Sequence, residues 1–171
     1  MKHGRRIGFA ITLLTVIGLT LTSAGAQAAP TPTSGAISIP AEVSTFRLNV
    51  SGLLQSFYST YGSRLSQSER TQMSGLINQI DQVLGALYRQ STVSAKLART
   101  NAPLVKQRQA AATVAKTYDA AFADSNANMK KLQPMIAPKL SFFEALSAKS
   151  DLDQSQRDFK DLGIHIHRAA R

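Results

Sequence analysis

The chain has 171 residues, no cysteine, no tryptophan and a formal charge of +10. Without cysteine there can be no disulfide, thiol nucleophile or thiolate metal site, so packing alone must hold the fold. The length suits one domain, and the basic balance favours anionic partners.

The chain opens with Lys2, Arg5 and Arg6, followed by an apolar run from Ile7 to Leu21 and a small-x-small tripeptide, Ala26-Gln27-Ala28. This is the three-part layout of a secretory signal. The run of 15 residues is shorter than the roughly 18 that a spanning helix needs. Residues 1–28 are therefore expected to be a cleavable signal peptide, and the protein to be exported, periplasmic or extracellular. Retention as an anchor is the alternative. Loss of the three basic residues lowers the formal charge from +10 to +7. Residues 29–39, APTPTSGAISI, carry no charge and no periodicity, and are expected to be a flexible Pro/Ser/Thr leader.

From Pro40 the apolar spacing becomes helical, and residues 40–171 are expected to form the folded domain. Val43, Phe46, Val50, Leu53, Phe57 and Tyr61 recur every three or four residues, one face of a helix that Gly62-Ser63 ends. Ser66-Gln67-Ser68-Glu69 is a capping box for a second helix, with Met73, Ile77, Ile80, Leu84 and Leu87 as its stripe. Gly75 and Gly85 are places where another helix could come close. Asn101-Ala102-Pro103 should stop this helix and cap a third, which carries Leu104, Ala111, Ala115, Tyr118, Phe122, Met129 and Leu132 on an alanine-rich seam. Pro134 and Pro138 should end it. Ser141-Phe142-Phe143-Glu144 reads as a second capping box, with Leu140, Phe143 and Leu146 on one side. Asp153-Gln154-Ser155-Gln156 reads as a restart, so the last pass should be broken near Ser150-Asp151, with Gly163 loosening its end. The expected fold is an all-α, antiparallel up-down bundle of four helical passes. Phe46, Phe57, Phe122, Phe143 and Phe159 are expected in its core, with the tyrosine hydroxyls at wet edges.

Chemical motifs are scarce. There is no G-x-S-x-G and no phosphate-cradling glycine loop. After residue 28 the only histidines are His165 and His167, near the carboxyl end, where a fixed catalytic geometry is hard to build. No catalytic residue and no cofactor are implied, and the chain is not expected to be an enzyme. The one candidate for a metal site, or for an enzyme site of unrecognised type, is Asp158, Asp161 and His165, spaced i, i+3 and i+7 on one helix side; a solvated polar face explains the same spacing.

The charge layout says more. Between Asp81 and Asp119 there is no acidic residue, while Arg89, Lys96, Arg99, Lys106, Arg108 and Lys116 all fall there. Antiparallel packing should bring these six to one end of a helical hairpin as a site for an anion or an acidic partner. Arg89, Lys96 and Arg99 also suit the negative end of their helix, whereas Lys106 and Arg108, near a helix start, do not. The expected partner is an anionic envelope polymer, a membrane surface or an acidic protein, with homodimerisation a further option. Nucleic acid is not expected, because no aromatic residues are interleaved with the basic ones.

Leu152-Asp153-Gln154-Ser155-Gln156, with Leu65-Ser66-Gln67-Ser68-Glu69 as a looser copy, resembles the Leu-x-x-x-Gln motif of periplasmic stress chaperones of the Spy and CpxP type. In that family the second position is usually Thr and the fifth Gln. Both copies depart at the second position, and the looser one also at the fifth. The resemblance covers about ten residues and implies an exported, ATP-independent chaperone as the alternative to an anion-docking bundle.

Overall fold

In the computed structural model, which describes residues 33–171, four long helices carry the chain. Helix α1 spans Thr33–Tyr61, α2 Gln67–Arg99, α3 Leu104–Ile136 and α4 Phe142–Ala169, with single 3-10 turns at Gly62–Arg64 and Ala137–Lys139. Among the described residues there is no strand, and no helix is long and apolar enough to cross a membrane. The expected signal peptide and the first residues of the expected leader lie outside the described residues. Both α1 and α3 pack on α2 and on α4, which closes a four-helix ring. Short connections make successive helices antiparallel.

Both capping boxes form. The Ser66 hydroxyl accepts from the Glu69 N–H at 3.3 Å, and the Glu69 carboxylate accepts from the Ser66 N–H at 2.7 Å. At Ser141 the same pair of bonds runs to and from Glu144 at 3.4 and 2.8 Å. The core runs from Ile39, Val43 and Phe46 of α1 through Met73, Ile80, Leu84 and Leu87 of α2. It continues through Val114, Tyr118 and Leu132 of α3 to Phe159, Leu162 and Ile166 of α4. Phe46 stacks on Phe159 with ring centroids 4.6 Å apart.

Several expectations need correction. Helix α1 begins at Thr33, inside the expected leader, and Pro40 lies within it. An internal proline costs about 3 kcal/mol; burial of Ile39, with Ala36 beside it, returns a similar amount. Pro134 likewise lies inside α3, which stops two residues later at Ile136. Helix α4 is unbroken. Its supposed restart is spent on pairs one turn apart: Lys149 to Asp153 at 2.7 Å and Gln154 to Asp158 at 2.6 Å. Such pairs support a helix, so these side chains brace the helix and do not cap a new one.

Gly163 does not loosen the end of α4. It is buried, and a Cβ there would clash with Cζ and the hydroxyl oxygen of Tyr118. The glycine is the notch that admits Tyr118, whose hydroxyl donates to the Phe159 carbonyl at 2.9 Å. Tyr118 is therefore buried, not a wet-edge tyrosine, and burial pushes its phenol up to about 12, with Asp119 adding to the shift. Gly75, by contrast, has nothing within 4 Å of its missing Cβ, and the atoms nearest that of Gly85 are the guanidinium groups of Arg47 and Arg89. Phe143, expected in the core, is 81% exposed.

Candidate anion-docking end

The end of the bundle at the α2–α3 turn is built from small residues. Ser91, Ser94, Ala95 and Ala98 of α2 and Ala111, Val114 and Ala115 of α3 are buried there, a composition that lets two helix backbones approach closely. The Ser91 hydroxyl turns back to the Tyr88 carbonyl at 2.8 Å, so the seam carries no unmet polar group at that point.

The turn itself is a helix C-cap. Asn101 has φ 48°, the left-handed conformation that asparagine tolerates best after glycine. Its N–H reaches the Ala98 carbonyl at 3.2 Å, and the Ala102 N–H reaches Leu97 at 3.0 Å. These two bonds are the Schellman closure of α2. Asn101 thus ends α2 and does not cap α3, whose N-cap is Pro103 with no side-chain bond. Gln107 ties the turn down by donating to the Ala102 carbonyl at 2.5 Å.

Six basic residues were expected at this end, and all six are exposed. The fold brings four of them together. Lys96 and Arg99 lie in the last turn of α2, and Lys106 and Arg108 lie in the first two turns of α3. Arg89 and Lys116 sit farther in, about 16 and 18 Å along their helices from the turn at 1.5 Å per residue. Arg89 lies instead beside Arg47 over Gly85.

The same end gains charge from α4. In an up-down bundle the last turn of the fourth helix lies beside the turn between the second and third. A shallow cleft lined by Ala36, Ala98, Leu104, Arg108, Ala169 and Arg171 records that meeting, and Arg168 stands in the last turn of α4. Arg168 was not expected here. Four-pass connectivity was the signal that could have placed it.

None of these cations is neutralised. All acidic residues lie at Glu42 or beyond, and among the described residues the ion pairs are made elsewhere. Arg47 holds Asp81 with two bonds, at 2.8 and 2.9 Å, which keeps that carboxyl below its ordinary range. Arg64 pairs with Glu144 at 2.9 Å, Lys139 with Glu69 at 3.7 Å and Lys149 with Asp153 at 2.7 Å. The carboxylates toward the basic end are Glu42 on α1, Asp119 on α3, which bonds His167 at 3.0 Å, and Asp161 on α4. Glu42 accepts from His165 Nδ1 at 2.7 Å. Asp161 lies seven residues, about 10 Å, before Arg168, roughly one screening length at physiological salt.

The metal candidate does not assemble. His165 points across to Glu42 of α1, Asp158 accepts from Gln154, and among the described residues no three metal-ligating side chains cluster. His167, two residues on, faces the other neighbour and bonds Asp119 of α3 at 3.0 Å. The two histidines clamp the end of α4 to α1 on one side and to α3 on the other.

Apolar exposure at the basic end was also missed. Leu104, read as core, is 54% exposed, and Val105 is 77% exposed. They stand at the start of α3 between Arg99 and Lys106. Comparison with protein families, curated proteins and solved structures finds no match to this chain.

Proposed function

We propose that this is an exported, non-catalytic bundle that docks an anionic component of the cell envelope through its α2–α3 end. One observation carries the reading. Lys96, Arg99, Lys106, Arg108 and Arg168 stand exposed in the helix turns at this end and make no ion pair among the described residues, whereas Arg64 and Lys139 at the opposite end are paired. Lys106 and Arg108 are also set against the positive start of α3, a placement that helix stability does not reward. Export rests on the signal-like layout of residues 1–28.

The test is sedimentation of the protein with envelope fractions at low and high salt. Reversing Arg99→Glu, Lys106→Glu and Arg108→Glu together is expected to abolish binding, and added salt to weaken it. Unchanged binding of the triple variant at low salt would overturn the reading.

A chaperone role is the second reading, supported by the far end of α4. Phe142 and Phe143 are 72% and 81% exposed, and Leu146 stands beside them in the same helix. Apolar surface of that kind can hold a client. Phe142→Ser with Phe143→Ser should then remove any ability to slow aggregation of an unfolded protein. If the unaltered chain slows none, the role is excluded.

A further inference from the structure

We infer that the basic end is a membrane-facing end: it fits the surface of a bilayer containing anionic phospholipid, with Leu104 and Val105 entering the headgroup layer. The inference rests on the docking reading above and names its partner.

Charge alone would serve any polyanion. What distinguishes this end is the apolar pair set among the cations. Leu104 and Val105 follow directly on Pro103, in the first turn of α3, and are largely uncovered. A hydrated polymer would leave them in water. A bilayer takes up apolar side chains at its boundary while its phosphates meet the flanking Lys and Arg. Arg99 stands on one side of the pair and Lys106 and Arg108 on the other, and Arg168 arrives from α4. The long stems of these side chains let them reach phosphate while the helix ends stay above the surface.

Helix α1 starts at this same end, beside the last turn of α4: a Cβ on Gly35 would lie 3.5 Å from that of Ala169. At the far end Arg64 and Lys139 are bound to Glu144 and Glu69, but Arg70, Lys130 and Lys131 make no ion pair among the described residues and Phe142 and Phe143 are exposed, so the far-end control below decides between the two ends.

The full chain should be mixed with phosphatidylglycerol–phosphatidylcholine vesicles and with phosphatidylcholine vesicles alone, and the bound fraction measured by sedimentation. Each basic residue near an anionic surface is worth about fivefold in partitioning. R99E/K106E/R108E should therefore lose about 100-fold or more on the anionic vesicles. The control R70E/K130E/K131E changes net charge equally at the far end and should lose far less. Equal losses would show that net charge alone is read, and would overturn the inference.

The chain has no tryptophan, so V105W supplies a clean reporter. Its emission should move to shorter wavelength on anionic vesicles and stay unchanged on soluble polyphosphate. L104S/V105S should weaken vesicle binding about tenfold and leave its salt response in place. If V105W does not shift and L104S/V105S binds as before, the lipid assignment fails. The docking reading would still stand if the charge-reversed triple variant lost binding to envelope fractions. Circular dichroism of each exposed-site variant confirms that the helices persist.

Discussion

The two ends of this bundle treat charge in opposite ways. At the end where α1 meets α2 and α3 meets α4, two cations are tied across helices to carboxylates. Arg64 grips both oxygens of Glu144 at 2.9 Å while also donating to the Lys139 carbonyl, and Lys139 reaches Glu69. The carboxylates so used are the same ones that complete the capping boxes of α2 and α4, so one side chain serves helix start and cross-helix tie together. At the α2–α3 end Lys96, Arg99, Lys106, Arg108 and Arg168 make no ion pair among the described residues, and the nearby Glu42 and Asp119 are engaged by His165 and His167. Apolar coverage differs too. No residue of α4 before Phe159 is fully buried, whereas Phe159, Leu162, Gly163 and Ile166 all are. The chain thus secures α4 close to the basic end, through the Tyr118 notch and the two histidine pairs, and holds its other half mainly by charge.

The contrast can be broken most directly at Gly163. Gly163→Ala forces Tyr118 out of its notch and should destabilise the protein by about 1–3 kcal/mol, read by urea or thermal unfolding. Gly75→Ala, with open space at the same atom, should instead stabilise by up to about 1 kcal/mol. Two substitutions of one chemical kind should therefore move the midpoint in opposite directions. Tyr118→Phe keeps the ring and removes the bond to the Phe159 carbonyl, a loss of about 1 kcal/mol. The Tyr118 phenol is raised to about 12 by burial, above its ordinary value near 10. Its contribution is therefore complete below about pH 10 and disappears as the pH rises toward 12. Alkaline absorbance titration should show one tyrosine ionising late, and Tyr118→Phe should abolish that late step.

Smaller effects are expected where groups are exposed. Asp119→Asn weakens the His167 clamp and should cost about 0.2–1 kcal/mol. At the far end, the Arg64 guanidinium and the Ser141 N–H and hydroxyl hold the Glu144 carboxyl at about 2. Because the folded value lies below the ordinary one near 4.3, this contribution is present above that pH and fades as the pH falls toward 2. Carboxyl NMR should place the Glu144 midpoint near 2, and Arg64→Ala should move it back toward the ordinary range. Phe142→Ser with Phe143→Ser should change stability by no more than about 0.5 kcal/mol, because neither ring is covered.

Much of the local structure was legible because local chemistry determines it. The Ser66 and Ser141 boxes could be read from four residues each, and the stripe from Met73 to Leu87 from its spacing. The acid-free stretch from Asp81 to Asp119 holds Lys96, Arg99, Lys106 and Arg108, which lie in the turns at one end of the bundle, and also Arg89 and Lys116, which lie farther in. Misreadings arose where one motif has two uses. Asp153-Gln154-Ser155-Gln156 has cap-like composition, yet one-turn pairing absorbed it. Asn101 before Pro103 looks like an N-cap, yet its left-handed backbone makes it the close of the preceding helix. Pro40 and Pro134 read as boundaries, but each is retained inside a helix.

Periodicity, capping residues and charge order by themselves determined that the chain forms four amphipathic passes, with a basic region at one hairpin. Tertiary structure decided which apolar residues are covered: it leaves Leu104 and Phe143 in water and buries Leu65 and Tyr118. It also decided that Arg168, sixty residues beyond Arg108, joins the same surface. The physical reason is range. Spacing and caps report interactions within a turn or two of one helix, whereas burial and charge neutralisation depend on which side chains a neighbouring helix brings alongside.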